Sequence, residues 1–297
     1  MHRSGGMAVL FNKIKGALFG LAIGDALGGT TEFMTSGEIQ AKYGKVTEII
    51  GGGVWHLEPG ETTDDTAMTV AVARGILQNP DDPIPGIGEE FLKWFRTDPK
   101  DIGNIIHEVF VSFQGDWYST AKEVHNDLGG RSAGNGSLMR CLPIALAYQD
   151  LDQMIEVTRM QSKMTHFDAL ADEACVLYNR IVFRLLQGEK LRAAIQSEAA
   201  DTIYEAVLRE RPDVPPSGFV VDTLKWVLYI LWNSETFEEV VQFAANLGGD
   251  SDTIGAIAGG LAGLDVGYDA LPVRYRKIIL LKEELASLSE ELYRLRK

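Results

Sequence analysis

The sequence predicts an all-α fold, on two observations. Apolar residues recur at three- and four-residue spacing through most of the chain, which is the period of amphipathic helices. Convincing alternation of apolar and polar residues is absent, and Val46 to Ile50 is only a weak candidate strand. The helical periods cover residues 11–27, 67–77, 87–95, 102–113, 137–147, 151–160, 169–186, 219–232, 237–247, 253–264 and 274–296. We therefore expect an almost all-α domain.

Composition limits the classes of partner. Of the 297 residues, 45% are hydrophobic and 24% are charged, as in ordinary globular proteins. The 28 basic and 42 acidic residues give a net charge of −14. Because the resulting field repels phosphate, nucleic acid and anionic membranes are poor partners. A phosphate-bearing ligand would need a local device, such as a bound metal or a helix N-terminus.

The sequence predicts a single domain that resides in a reducing compartment. No Ser- or Pro-rich linker divides it, so we expect a single domain over residues 11–297, including a C-terminal helix. Residues 1–10 lack the apolar core of a secretory signal, and we expect them to be a disordered extension. Cys141 and Cys175 are too few for a disulfide scaffold or a thiolate zinc site. We expect a cytoplasmic protein without membrane insertion.

Three further segments have simple structural interpretations. The proline-containing stretches 79–88 and 211–218 are expected to be loops between helices. Leucines near heptad spacing in 274–296 favour a terminal helix docked on its own domain, with a partner-binding coiled coil as the alternative.

Two rows of glycine predict a close contact between helices. Glycine recurs every four residues at positions 16, 20, 24 and 28, and again at 255, 259 and 263. Each glycine inside a helix costs about 0.8–1 kcal/mol relative to alanine, which is tolerable where another backbone must approach. Two glycine-faced helices would bring together whatever lies at their ends.

Acidic clusters lie at those ends. One is Thr62-Thr-Asp-Asp-Thr66, the other is Gly248-Gly-Asp-Ser-Asp-Thr253, and Asp25 and Glu32 follow the first glycine row. Helix capping is one explanation, but it needs a single side chain per helix. Adjacent carboxylates repel unless a cation or protons compensate them. Carboxylate and hydroxyl oxygens without neighbouring Lys or Arg favour Mg²⁺ or Mn²⁺, and we expect the two clusters to share two ions.

A glycine-rich loop, Gly129 to Ser137, precedes an apolar helix. Backbone N–H groups at such a helix N-terminus can hold phosphate. The loop is not a Walker motif, because no Gly-Lys-Ser/Thr follows. A plain flexible loop is the alternative.

Together these segments resemble the ADP-ribosylglycohydrolase family, most closely its bacterial branch that acts on ADP-ribosyl-arginine of dinitrogenase reductase. The resemblance runs from about Phe11 to Pro272 in the family's order. The matching stretches are residues 16–28, 32–39, 51–53, 59–66, 101–104, 133–143, 165–166, 221–223 and 248–256.

The resemblance implies a compact orthogonal helical bundle with a dinuclear Mg²⁺ or Mn²⁺ site in a central cleft. The implied metal ligands are Thr63, Asp64, Asp65, Asp250, Asp252 and Thr253. The implied catalytic residues are Glu32, a carboxylate near the metals and the reacting ribose, and Asp101, which acts on the ribose–guanidinium linkage. Since no carboxylate neighbours Asp101 in the sequence, we expect it to supply linkage chemistry rather than metal binding.

The resemblance also implies a set of substrate contacts. These are Asn104, Gly134, Asn135, Gly136, Ser137, His166 and Phe219. The 134–137 loop would hold the diphosphate, His166 would contact the ligand, and Phe219 would stack on adenine where close relatives often have tyrosine. Without the resemblance, Asp101 would be a helix N-cap and His166 a structural side chain.

The implied activity is metal-dependent removal of ADP-ribose from modified protein side chains, with arginine as the preferred linkage. The partners would be an ADP-ribosylated protein, with nitrogenase reductase as one candidate, and ADP-ribose. One alternative is hydrolysis of serine-linked or free ADP-ribose conjugates. A non-catalytic protein that binds ADP-ribose, or is purely structural, is the other, and the complete ligand set argues against it.

Overall fold

In a computed structural model, residues 2–296 are described, with side chains from residue 6 onward, and they fold as helices around one continuous core. Across these residues the α-helices are α1 His2–Gly28, α2 Ser36–Tyr43, α3 Asp64–Gln78, α4 Pro83–Phe95, α5 Asn104–Ser112, α6 Trp117–Asp127, α7 Leu142–Ala147, α8 Leu151–Lys163, α9 Ala169–Leu186, α10 Leu191–Ala199, α11 Val220–Asn233, α12 Phe237–Leu247, α13 Ser251–Val266, α14 Val273–Ile278 and α15 Lys282–Leu295. Short 3₁₀ helices lie at Asn135–Ser137, Glu205–Leu208 and Tyr268–Ala270. The all-α prediction is confirmed.

The glycine rows bring α1 and α13 into backbone contact. A Cβ on Gly24 would lie 1.9 Å from the carbonyl oxygen of Gly255, and a Cβ on Gly20 would lie 2.2 Å from that of Gly259. Along the contact, residue numbers rise on α1 while those of the facing residues on α13 fall, so the two helices are antiparallel. The end of α1 therefore meets the start of α13, where the acidic clusters lie.

The first helix has the length and hydropathy of a membrane span over Gly6–Gly28. In the fold, however, α1 packs against α13, α12 and α15, and its last turn carries the buried carboxyl of Asp25. These are the features of a core helix in a soluble protein.

The N-terminal extension differs from the expectation. Residues 2–10, expected to be disordered, continue α1 as helix, because no proline interrupts the helical pattern ahead of Phe11. Met7 and Val9 on this extension are 43% and 56% exposed, so it adds little to the core. Met1 and Lys297 lie outside the described residues.

Several boundaries also differ. Helices α2, α6 and α10 were not expected, and α4 begins at Pro83 within the expected 79–88 loop, since proline is tolerated in a first helical turn. The 46–50 segment is irregular rather than a strand; buried Val46 and Ile49 account for its apolar pattern. The 274–296 period is two helices, α14 and α15, and α15 docks on α1, α3 and α7.

Candidate active site

A cavity of about 490 Å³ opens where α1 meets α13, a volume typical of small-molecule sites. The turn after α1, the start of α3, the start of α5, the glycine-rich loop and the start of α13 form its wall. Among the described residues that line it, none is Lys or Arg. The carboxyl-bearing lining residues are Glu32, Asp64, Asp101, Asp250 and Asp252.

Asp25, in the last turn of α1, holds the start of α3. Its Oδ1 accepts hydrogen bonds from the Thr63 N–H at 3.1 Å and the Thr63 hydroxyl at 2.9 Å. Its Oδ2 accepts from the Thr66 N–H at 3.1 Å and the Thr66 hydroxyl at 2.5 Å. Asp25 is therefore a positioning residue that directs Asp64 and Asp65. Sequence reasoning noted Asp25 without giving it this role.

Two acidic groups meet at this point. Carboxylate oxygens of Asp25, Asp65 and Asp252 lie within 4.8 Å of one another, and so do those of Glu32, Asp250 and Asp252. Asp252 belongs to both groups. The residues come from the ends of α1, α3 and α13, so the helix packing itself assembles the cluster.

Threonine hydroxyls complete the cluster. Thr63 Oγ1 lies 3.1 Å from Asp65 Oδ2 and 3.3 Å from Asp252 Oδ2, and Thr253 Oγ1 lies 3.2 Å from Asp65 Oδ2. Asp65 Oδ1 is buried and has no hydrogen-bond partner among the described residues. An unpaired buried carboxylate oxygen is costly, and a hard cation would satisfy it. These residues therefore fit a metal ion that prefers oxygen ligands.

The carboxyls of the cluster have raised pKa values, because they are buried close together and no described cationic side chain lines the cavity. Burial raises the pKa of Asp64 to about 7, that of Glu32 to about 8 and that of Asp25 to about 6. Burial and then neighbouring carboxylates raise the pKa values of Asp65 and Asp252 well above their usual range. Protons or a cation must compensate this charge at neutral pH.

These raised pKa values predict an unusual pH dependence of stability. A carboxyl whose pKa is higher in the folded state stabilises the fold fully below its unfolded pKa near 4, and this contribution is lost as pH rises through the folded value. In a chelator, we expect the melting temperature to fall by about 5 °C or more between pH 5 and pH 9. Millimolar Mn²⁺ should reverse most of this fall at pH 8 and have little effect at pH 5.

Calorimetry at each pH, with and without Mn²⁺, measures this. Asp65→Asn should flatten the chelator profile, while Glu123→Gln, on the exposed face of α6, should leave it unchanged. A melting temperature that rises with pH in chelator would contradict the assignment of the acidic cluster.

Asp101 lies in the loop ahead of α5 and lines the cavity beside Asp64. It hydrogen-bonds to Asp64, whose Oδ2 also accepts from the Gly103 N–H at 3.0 Å. Burial, and then repulsion by Asp64, raises the pKa of Asp101 to about 9. Asp101 has no carboxylate beside it in the sequence, but the fold places Asp64 next to it. Asp101 is not a helix cap, since Gly103 is the N-cap residue of α5.

Aromatic side chains border the cavity at Glu32. The Trp55 indole N–H donates to Glu32 Oε2 at 2.5 Å, which orients this carboxyl. Phe33 has a left-handed backbone (φ 63°), is 65% exposed, and its ring centroid lies 6.3 Å from that of Trp55. Sequence reasoning missed both aromatic residues, because no local motif marks them.

The glycine-rich loop ends in the 3₁₀ helix 135–137. The backbone N–H of Asn135 donates to the Gly218 carbonyl at 2.9 Å. The side-chain amide of Asn135 donates to Asp250 Oδ2 at 2.6 Å. The Ser137 hydroxyl is buried and bonds to Ser162 at 2.9 Å, so it faces the interior. Neither the Asn135 N–H nor the Ser137 hydroxyl is directed at the cavity.

The remaining predicted contacts fall into two places. Asn104, Gly134, Gly136 and His166 line the main cavity. Phe219 instead lies in an adjoining cavity of about 390 Å³ that shares Gly134 with the first, and its side chain is 43% exposed.

Known proteins resemble this chain over almost its full length. The family model for ADP-ribosylglycohydrolase matches residues 7–297. The ADP-ribosyl-[dinitrogen reductase] glycohydrolase of Rhodospirillum rubrum is 36% identical, over 91% of this chain and 90% of that protein. The ADP-ribosylarginine hydrolase Tri1 of Serratia proteamaculans (strain 568) is 28% identical, over 95% of this chain and 79% of that protein. A solved structure described as an ADP-ribosylglycohydrolase-related protein complex superposes with a TM-score of 0.84 at 32% identity, covering 97% and 99% of the two chains.

Proposed function

The chain belongs to the ADP-ribosylglycohydrolase family and is an ADP-ribosyl glycohydrolase, and from that premise we propose that it releases ADP-ribose from modified arginine side chains. The observation that supports the arginine linkage is the lining of the main cavity, where carboxyls are abundant and no described Lys or Arg is present. A departing guanidinium is cationic, and carboxyls hold such groups through charge-assisted hydrogen bonds.

We propose that the acidic cluster holds two divalent ions, Mg²⁺ or Mn²⁺. Their ligands would be Thr63, Asp64, Asp65, Asp250, Asp252 and Thr253, with Asp252 near both ions. The unpartnered Asp65 Oδ1 and the two acidic groups that share Asp252 support this. When bound, such ions polarise oxygen atoms and orient ribose hydroxyls and water.

The chain's own carboxyls would move the protons. In hydrolysis, a water oxygen bonds to the anomeric carbon and the bond from that carbon to the guanidine nitrogen breaks. The nitrogen leaves with a proton from a carboxyl, and the proton that the water loses restores that carboxyl. Asp101 lines the cavity, and in its hydrogen bond to Asp64 its carboxyl would carry the shared proton. It is placed to give that proton to the leaving nitrogen. Glu32, oriented by Trp55, is placed to act on the ribose or the water.

Binding of the nucleotide part would use both cavities. Gly134 and Gly136 would lie along the diphosphate, with Asn104 and His166 on the cavity wall. Phe219, in the adjoining cavity, would stack on adenine. The glycine-rich loop would thus join the two halves of the ligand.

Gly136→Ala is expected to weaken ADP-ribose binding about tenfold, without changing metal content. Its Cβ would lie 2.8 Å from His166 Cε1 and 2.8 Å from Ile106 Cδ1, so the ring and the cavity wall must shift. Calorimetric titration with ADP-ribose measures the change. Gly37→Ala in α2, whose Cβ would meet only Thr35 Oγ1 at 3.9 Å, should bind normally. Unchanged affinity in folded Gly136→Ala would move the ligand away from this loop.

An assay of linkage specificity tests the proposed function. The protein would be incubated with peptides carrying ADP-ribose on arginine, serine or aspartate, in Mn²⁺ and in chelator. We expect Mn²⁺-dependent release from arginine. Release from serine alone would overturn the arginine assignment, and equal release in chelator would overturn the role of the metal.

The target protein and compartment are also proposals. We propose an ADP-ribosylated cytoplasmic protein as substrate, with nitrogenase reductase as the first candidate because a relative is named for dinitrogen reductase. Release of ADP-ribose from modified nitrogenase reductase, followed by mass spectrometry, tests this choice. An intact modification after prolonged incubation, with the arginine peptide cleaved in parallel, would exclude it.

A further inference from the structure

A buried cation follows the glycine-rich loop by three residues, although no described Lys or Arg lines the cavity. Arg140 is fully buried, with its guanidinium carbon 4.5 Å from the Phe91 ring centroid. Its Nε donates to the side-chain carbonyl of Gln161, and its Nη2 donates to the Thr165 hydroxyl at 2.7 Å. None of its hydrogen-bond partners among the described residues is a carboxylate. A buried charge that no carboxylate hydrogen-bonds is costly, and the charge of Asp64 acts on it without such a bond, so its neighbours merit a functional explanation.

Thr165 joins Arg140 to His166. Thr165 Oγ1 lies 2.8 Å from His166 Nδ1 as well as 2.7 Å from the Arg140 guanidinium. A guanidinium can only donate, so the threonine oxygen is its acceptor and the hydroxyl proton remains for Nδ1. The threonine oxygen has a second lone pair that an Nδ1–H could use; where Nδ1 instead accepts the hydroxyl proton, a neutral ring carries its own proton on Nε2.

The His166 ring is neutral and directed at the cavity. Burial, and then the charge of Arg140, lowers the pKa of His166 to about 3. The ring is 2% exposed and lines the main cavity. A Cβ on Gly134 would lie 3.1 Å from Nε2, and one on Gly136 would lie 3.2 Å from it, so Nε2 faces the cavity's glycine-rich wall. No hydrogen bond joins Nε2 to another described residue.

We propose that Arg140 and Thr165 are positioning residues that hold His166 as an Nε2–H donor for an anionic oxygen of the bound ligand. The chain of hydrogen bonds polarises the imidazole N–H toward the cavity, which places a donor where no cationic side chain reaches. The hydrogen-bond relay, which runs from Arg140 through Thr165 to His166, is inferred from contacts in the protein without ligand. Only the identity of the ligand, ADP-ribose, rests on the proposed function.

Nitrogen NMR of the free protein tests the relay without any ligand. In ¹⁵N-labelled protein, protonated and unprotonated ring nitrogens have well-separated shifts, and His166→Gln assigns the resonances. We expect the Nε2–H form in the wild type and in Thr165→Ser, and a mixture of the two tautomers in Thr165→Val. The proposal is overturned if the wild type carries the proton on Nδ1, or if Thr165→Val leaves the tautomer unchanged.

Calorimetry with ADP-ribose tests the consequence for binding. Thr165→Val should weaken ADP-ribose binding about tenfold, and Thr165→Ser should restore it. Thr120→Val, a buried threonine in α6, is the matched control for removal of a hydroxyl and should bind normally. If the wild type binds no ADP-ribose, the proposed function fails while the NMR result still decides the relay. Full affinity in folded Thr165→Val would show that the relay does not serve the ligand.

Discussion

Asp252→Asn should abolish divalent-ion binding and lower glycohydrolase activity by at least about a thousandfold. Asp252 is 1% exposed and is the carboxylate shared by the two acidic groups, so its loss weakens both candidate ion sites. In chelator the same substitution should raise the melting temperature, because it removes one of several mutually repelling buried carboxylates. Loss of metal together with a gain in metal-free stability is a result that misfolding cannot produce.

Elemental analysis, activity and melting temperature measure the three effects. The matched control is Asp172→Asn, a buried aspartate in α9 outside the cavity, which should keep both metal and activity. Retention of stoichiometric Mn²⁺ by Asp252→Asn would show that the ligands lie elsewhere.

Asp101→Asn should slow cleavage of the arginine linkage by at least about a hundredfold while leaving metal content and ADP-ribose affinity near normal. Asparagine keeps the shape of the side chain, and its amide can still donate to Asp64, as Asp101 does. What it cannot do is transfer a proton. Since Gly103 is the N-cap residue of α5, no cap is lost and the fold should be unaffected.

The comparison of Asp101→Asn with the wild type needs a control substitution in the same loop. Asp98→Asn suits it, because Asp98 is exposed and its left-handed backbone (φ 55°) is one that asparagine tolerates. Single-turnover rates on arginine-linked substrate should fall only for Asp101→Asn. A wild-type rate in that variant would transfer the proton-moving role to Glu32.

Sequence periodicity predicted most of the helices because their buried faces follow the helical repeat. It missed α2, although Thr35 and Glu38 form a capping box that is visible in the sequence. It placed α4 too late by treating Pro83 as a breaker rather than a first-turn residue. The irregular 46–50 segment looked like a strand because burial alone produces an apolar pattern.

The glycine rows predict the contact that brings the end of α1 to the start of α13. The six residues predicted as metal ligands lie close together because, at that end of α1, Asp25 also holds the start of α3 through Thr63 and Thr66. Other features of the site depend on residues distant in sequence and could not be read from it. The hydrogen bond between Asp64 and Asp101, the support of Glu32 by Trp55, and the buried Arg140 leave no local motif. The kinds of residue that form the site could be predicted from the sequence, whereas the contacts between residues of different loops could be seen only in the folded structure.

The antiparallel contact between α1 and α13 also sets the order of events during synthesis. The Ser251 hydroxyl that bonds the Gly28 carbonyl at 2.8 Å is separated from it by 223 positions. While the ribosome makes the intervening chain, the glycine face of α1 has no partner, and the acidic site cannot form. A nascent or truncated chain that stops before α13 is therefore expected to have neither the complete acidic cluster nor the activity. The enzyme acquires its chemistry only when α13, which begins at Ser251 in the last sixth of the chain, has emerged and closed against the first helix.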